Sequence, residues 1–303
     1  MSKKNKTLII TATVFLIAGL IIFISASASV NFDFSKFSTK KYITNTYKIS
    51  EDFENISIDV NTPEITFVPS VSGECQIKIY DEEKVEYSAA VQNGTLKITA
   101  NDTRKWYQHI GIYVETPALT VYLPEKNYTL LSVDTNTGDI NIPDNYSFES
   151  VTVNSDTSDI YCSAKVSENI KISVNTGYVE LDDLNTKQID LSTSTGEIEL
   201  EDVTCGELLI KTHTGNINLD NVIAEKNITA DSSTGNINIK DSDANEIIFQ
   251  TDTGNVTGCL LSGKEFITDT STGNVNVPNS TGSGKCEITT GTGNIKISVA
   301  TDN

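Results

Sequence analysis

Two apolar patterns divide the chain. Residues 8–24, LIITATVFLIAGLIIFI, carry no charge over 17 positions. With Thr7 and residues 25–30 they predict one helix able to cross a hydrocarbon core of about 30 Å. Beyond it, apolar and polar residues alternate in short runs around a recurring glycine, the period-two signature of strands with one buried face. A Thr-Gly-polar-Ile/Val unit recurs at Gly138, Gly177, Gly196, Gly215, Gly235, Gly254, Gly273 and Gly293, and Ser158 takes the glycine place in the one long gap. Successive centres are 19 or 20 residues apart. Apolar side chains stand seven and five residues before the turn, as in Ile189/Leu191 and Leu208/Ile210, and two and four after it, as in Ile198/Leu200 and Ile217/Leu219. Each unit is therefore expected to hold two short strands joined at a glycine turn.

Hairpins also alternate, so the columns decide the topology. Thr precedes the turn in all nine units, and Asn follows it in the last five, at Asn216, Asn236, Asn255, Asn274 and Asn294. Antiparallel neighbours would scatter these residues. Parallel in-register stacking makes them adjacent at about 4.8 Å, where asparagine amides can bond in ladders. The expectation is an all-β fold, a parallel β-solenoid (β-helix) of 19–20-residue coils preceded by one transmembrane helix. Nine coils would give a rod roughly 40 Å long; a two-sheet sandwich is the competing arrangement.

The expected organisation is residues 1–30 as cytoplasmic tip and transmembrane signal anchor, 31–55 as linker, 56–130 as an irregular N-terminal β region and cap, and 131–303 as solenoid. Residues 56–67, ISIDVNTPEITF, align with 131–142, LSVDTNTGDINI, placing Pro63 at the glycine position of a further coil. The register then breaks, and Asn93-Gly94 reads as a hairpin turn. This stretch holds Tyr80, Tyr87, Tyr107, Tyr113, Tyr122, Tyr128 and Trp106, the only tryptophan. Exposed, they would form a sugar- or peptide-binding surface; buried, they would cover the open end of the solenoid.

Charge adds topology. Lys3, Lys4 and Lys6 precede the apolar segment, which places the N-terminus in the cytoplasm and the bulk outside. The alternative is secretion after cleavage near Ala28, since Ala26-Ser27-Ala28 is an acceptable site, although the apolar run exceeds the usual 7–15 residues of a signal peptide. The formal charge of the chain is −19, with 41 Asp+Glu against 22 Lys+Arg. Such a balance argues against nucleic acid as a partner.

Candidate chemistry is sparse. The five cysteines, Cys75, Cys162, Cys205, Cys259 and Cys286, are scattered and read as unpaired. His109 and His213 have no second ligand at metal spacing. Residues 282–286, GSGKC, lack the pattern of a phosphate loop. An acidic column five and six residues after the turn is the one feature with metal chemistry: Asp182, Asp183, Glu201, Asp202, Asp220 and Asp241, with Asn221 and Lys240 at the remaining places. Stacked carboxylates repel, and Ca²⁺ would relieve that; alternatively the column is a solvated edge. No cofactor and no catalytic residue is expected. The last coil offers an open strand edge through which the chain could self-associate.

The strand Val121-Tyr-Leu-Pro124, followed by Thr-Gly-Asp-Ile and then Thr-Gly-Asn-Ile coils, resembles the bacterial "putative adhesin" family of β-strand-repeat envelope proteins, a domain of unknown function with LiaG-like members. The resemblance covers about residue 56 to the C-terminus. It implies a membrane-tethered extracytoplasmic β-solenoid acting as an adhesin or cell-envelope interaction scaffold toward an envelope protein or glycan, without catalysis. An accessory role in an envelope-stress signalling system is the alternative, and a carbohydrate-active β-helix enzyme a third reading.

Overall fold

A computed structural model describes residues 3–32, 40–109, 115–279 and 282–300. Tyr113, the side chain of His109 and residues 301–303 lie outside the described set. Helix α1 spans Lys3–Ser29; at 1.5 Å per residue its 27 residues reach about 40 Å. It is long and apolar enough to cross a membrane, with a mean hydropathy of 2.7.

The remainder is mostly β. An N-terminal set comprises β1 (Tyr42–Ile49), β2 (Asn55–Val60), β3 (Glu64–Pro69), β4 (Cys75–Glu82), β5 (Val85–Gln92), β6 (Thr95–Asp102) and β7 (Ala118–Leu123). The repeats follow as β8 (Asn127–Thr137), β9 (Ile140–Ile142), β10 (Ser147–Thr157), β11 (Ile160–Cys162), β12 (Lys165–Thr176), β13 (Val179–Thr195), β14 (Ile198–Thr214), β15 (Ile217–Thr234) and β16 (Ile237–Thr253). The last are β17 (Val256–Leu260), β18 (Glu265–Thr272), β19 (Val275–Asn276), β20 (Lys285–Thr292) and β21 (Ile295–Val299).

Repeat stacks on repeat in parallel, in the register that the columns predict. Ile189 lies beside Leu208, Leu191 beside Ile210, and Thr195 beside Thr214; the next tier repeats the match with Ile228, Ala230 and Thr234. The solenoid expectation holds, but each full coil has three sides, not two. Along β13 the inward residues are Val179 and Leu181, then Leu184 and Thr186, then Ile189, Leu191 and Thr193. Inward parity slips at Asp182–Asp183 and again at Lys187–Gln188, and each slip is a corner. The middle side is too short for alternation to show in sequence.

The aligned coil at residues 56–67 is present: Ile56 pairs with Leu131 and Ile58 with Val133, and Ile65 with Ile140. Above it, β6 and β7 add a further parallel tier on β2 and β3. The chain then turns antiparallel, with β5 on β6, β4 on β7 and β1 on β4. Asn93 and Gly94, at φ 51° and 73°, make the hairpin turn. Strand β1 falls inside the stretch expected to be a linker; its burial alternates from Ile43 to Ile49, but polar Asn45 at a half-buried place interrupts the apolar pattern in sequence.

The C-terminal end corrects a second expectation. β16 pairs with β20, not with β18, and β18 pairs with the far side of β20. The repeat around Gly293 is thus slotted between those around Gly254 and Gly273. Gly254 N–H donates to Thr292 O at 3.0 Å, and Gly293 N–H to Thr272 O at 2.9 Å. The inward residues supply the reason. β20 offers fully buried Cys286 and Ile288, whereas β18 offers half-buried Phe266 and polar Thr268. The more apolar repeat takes the inner place, where each buried aliphatic side chain contributes roughly 1.5–3 kcal/mol. Lys264, on the crossing into β18, is buried against Asp243 at 2.6 Å. The open parallel edge expected from sequence at the C-terminal coil is thus found on β18 and β19 among the described residues.

Candidate interaction surfaces

The glycine turn builds one edge of the rod. At Gly235 an added Cβ would lie 1.9 Å from the carbonyl oxygen of Gly215 in the neighbouring tier. No side chain fits that approach, which explains the glycine at Gly138, Gly177, Gly196, Gly215, Gly235, Gly254, Gly273 and Gly293 better than conformational freedom alone. Three residues earlier an inward hydroxyl bonds the crowded carbonyl. Ser232 donates to Gly215 O at 3.1 Å, Thr251 to Gly235 O at 2.9 Å and Thr290 to Gly254 O at 2.9 Å. Sequence reasoning missed this column, although Ser or Thr stands there in every unit but that of Val174. The signal was a polar residue repeatedly at inward parity, where burial demands a partner.

Two polar columns flank the turn. Thr137, Thr157, Thr176, Thr195, Thr214, Thr234, Thr253, Thr292 and Thr272 are neighbours in that spatial order, and all nine are exposed. Beyond the glycine runs the asparagine ladder. Asn216 Oδ1 accepts the backbone N–H of Asn236 at 3.0 Å, and Asn236 that of Asn255 at 2.8 Å. Asn255 then serves Asn294 at 2.8 Å, and Asn294 serves Asn274 at 3.0 Å. The ladder follows the slotted order of the tiers.

The acidic column divides into two roles. Asp182, Glu201 and Asp220 lie side by side, and the file ends at Lys240, whose Nζ is 2.6 Å from Asp220 Oδ2. Asp183, Asp202, Asn221 and Asp241 occupy the adjoining corner with φ of 51°, 53°, 52° and 47°. Asp and Asn tolerate that left-handed conformation better than other residues with a Cβ. Their recurrence is thus a matter of backbone shape. Among the described residues no group of three His, Cys, Asp or Glu side chains is arranged to hold a metal ion.

A groove of about 740 Å³ runs along the middle side, with Asn185, Thr186, Lys187, Cys205, Ile223 and Lys226 in its lining. Lys187 pairs with Glu168 at 2.6 Å and Lys226 with Glu207 at 3.0 Å across tiers; such exposed pairs contribute about 0.2–1 kcal/mol.

At the capped end the charges go inside. Arg104 Nη1 donates to Glu82 Oε1 at 2.7 Å and Nε to Asp102 Oδ1 at 2.7 Å, and all three side chains are largely buried. Lys40 reaches Glu82 at 3.5 Å. Asp81 accepts from the Tyr87 hydroxyl and, at 2.6 Å, from Glu82 N–H. Burial pushes the Asp81 carboxyl above its ordinary range, and it lifts the Tyr87 phenol as well. A raised acid pKa means that the folded state holds its proton to higher pH than the unfolded chain. The charged form at neutral pH is then what the Tyr87 bond supports. We expect Tyr87→Phe to lower the melting temperature at pH 7 and to lower it less as pH falls through the folded pKa of Asp81. Thermal melts of both chains across pH 4 to 7 check this; a constant difference would contradict it.

The aromatic segment splits between the two readings. Tyr128 is buried, stacked between Phe53 and Phe148 at 6.0 and 5.6 Å, and Tyr80 and Tyr122 are half-buried. Trp106 and Tyr107 face outward. All five cysteines are free. Burial raises the thiols of Cys75, Cys205 and Cys286 to about 12 and that of Cys162 to about 11, which leaves them protonated and inert at neutral pH. His213 is exposed beside Thr214.

A sequence profile of the Toastrack DUF4097 family matches residues 53–298. The chain belongs to this family. Its matched segment begins just before β2 and takes in the N-terminal coil, the antiparallel strands β4 and β5 but not β1, and the repeats. Among solved structures, this Toastrack DUF4097 chain is similar to a "putative adhesin" from Bacteroides fragilis, with 17% identity, 86% of this chain and 98% of that one covered, and a TM-score of 0.47. It is also similar to a "putative lipid binding protein" from Parabacteroides distasonis, with 14% identity, 86% and 98% coverage and a TM-score of 0.48. A "putative cell adhesion protein" from Clostridium sporogenes shares 13% identity over 86% and 100% of the two chains, at a TM-score of 0.24. Comparison with curated proteins finds no match.

Proposed function

We propose that the chain is a non-catalytic scaffold of the bacterial cell envelope, held in the membrane by α1 and presenting its turn edge to an envelope glycan or protein outside. The observation that carries this reading is the unbroken column of nine exposed threonines, backed by an asparagine ladder whose amides are already fixed. A rigid array with a repeat of about 4.8 Å suits a long, repetitive partner, because each contact is preorganised and side-chain ordering costs little. Along the described repeats the charged groups recur tier by tier, and in the cap Glu82 and Asp102 are already bonded to Arg104, whereas glycoside hydrolysis needs a pair of carboxylates facing the sugar. An uncleaved anchor is favoured because the apolar run of residues 8–24 is 17 positions long, beyond the usual signal-peptide core of about 7–15.

The test uses the full chain in proteoliposomes and an isolated cell-wall fraction. The native chain should retain the wall material. Thr176→Lys, Thr214→Lys and Thr253→Lys together, on alternate tiers, should cut retention several-fold while leaving the melting temperature in place. Unchanged retention would overturn the choice of surface, and release of soluble sugars would overturn the non-catalytic reading.

A further inference from the structure

We propose that the cap rim at Trp106 and Tyr107 is an interfacial foot, a second membrane contact that rests the capped end of the rod on lipid headgroups beside the anchor. This rests on the reading of α1 as a membrane anchor.

Three observations lead there. First, Trp106 is 78% exposed and Tyr107 52%, whereas the neighbouring phenols are engaged. Tyr42 donates to Glu115 O, Tyr47 to Tyr87 O, Tyr87 to Asp81 and Tyr128 to Pro124 O. Trp and Tyr rings left in the open at one end of a tethered domain have the amphipathic character that headgroup regions favour.

Second, the rim sits where the chain arrives from the membrane. Arg104, two residues before Trp106, is bonded to Glu82. Glu82 lies opposite Tyr42, the first residue of β1, and also meets Lys40. Lys40 follows the end of α1 at Ser29 by eleven residues, which span about 40 Å at most. The ion cluster thus ties the aromatic tip to the point of entry, and the tether keeps it within reach of the bilayer.

Third, the rim carries exposed cations. Lys84 and Lys105 are exposed on this rim, and Thr103 joins the two segments by donating to Lys84 O at 3.0 Å. Glu83, beside Lys84 in sequence, is exposed as well but pairs with Lys41 at 2.8 Å; in a chain of charge −19 the lysines lessen the repulsion of this end from an anionic bilayer relative to the acidic rod. A sugar platform fits less well. The two rings stand edge to face, 85° apart with centroids at 6.0 Å, and offer no shared flat surface for a pyranose.

Trp106 is the only tryptophan in the chain, so its fluorescence reports on this site alone. The full chain is reconstituted in phosphatidylcholine–phosphatidylglycerol vesicles. Emission should shift to the blue, be quenched more by lipids brominated near the headgroup than by deep-brominated ones, and be protected several-fold from aqueous acrylamide. Lys84→Glu with Lys105→Glu should reverse much of this protection. Alkaline carbonate washing in parallel reads the anchor itself. A chain that washes off removes the anchor reading. A chain that stays while Trp106 remains open to acrylamide and blind to brominated lipid overturns the foot alone. Protection by soluble oligosaccharide, or by raised protein concentration in detergent, would assign the rings to a glycan or a second copy and overturn it equally.

Discussion

Gly235→Val is expected to destabilise the rod by about 4 kcal/mol or more, against a change within about 0.5 kcal/mol for Thr234→Val one residue away. The two sites share a turn and differ in what their side chains meet. A Cβ at Gly235 would stand 1.9 Å from Gly215 O and 3.0 Å from the Ser232 hydroxyl that bonds the same oxygen. The neighbouring tier cannot recede, since its Gly215 N–H donates to Thr234 O and its Ile217 N–H to Asn236 O, both at 2.9 Å. Its φ of 158° adds strain. Thr234 points to solvent, where valine keeps the β-branched shape. Thermal melts of both variants check the contrast. An unchanged melting temperature for Gly235→Val would mean that the tiers do not meet at the glycine.

The second large effect is expected at Arg104. Arg104→Ala should cost about 3 kcal/mol or more, because it strands the buried carboxylates of Glu82 and Asp102 without a counter-charge. Arg104→Lys should recover only part of the loss. A lysine carries the charge but cannot direct one fork at Glu82 and another at Asp102. The damage should begin at the cap, since Arg104 joins the end of β6 to β4 and, through Glu82, to the entry of β1. Hydrogen exchange that quickens in β1 and β4 before the repeats would show this; uniform quickening would contradict it.

What could be read in the sequence was whatever repeats. Thr at the turn, Asn behind it and paired aliphatics at fixed offsets state a parallel register, because only in-register tiers bring identical residues together. The middle side stayed hidden, since Leu184 and Thr186 make too short a run to set a period. The corner aspartates read either as a cation column or as a solvated edge, because acidity was legible and their left-handed backbone conformation was not. Asn221 at the same place as Asp183, Asp202 and Asp241 held the clue, as it shares their tolerance of the left-handed region and lacks their charge. The cap resisted because its order comes from Arg104, Glu82 and Lys40, residues far apart in sequence. The stacking order of the last repeats was legible in principle. Thr268 at an inward position marks β18 as the strand that can stand at an open end, where Ile267 and Val275 remain 47% and 44% exposed.

That order is the most specific feature of the fold, and cysteine cross-linking tests it most directly. Thr253, Thr292 and Thr272 are exposed and consecutive in the threonine column. Adjacent tiers about 4.8 Å apart are within disulfide range, and tiers two apart are beyond it. Thr253→Cys with Thr292→Cys should therefore cross-link under mild oxidation, as read by mass spectrometry of the intact linked peptides. Thr253→Cys with Thr272→Cys should remain free. The reverse pattern, with 253 joined to 272 and not to 292, would mean that the repeats stack in sequence order.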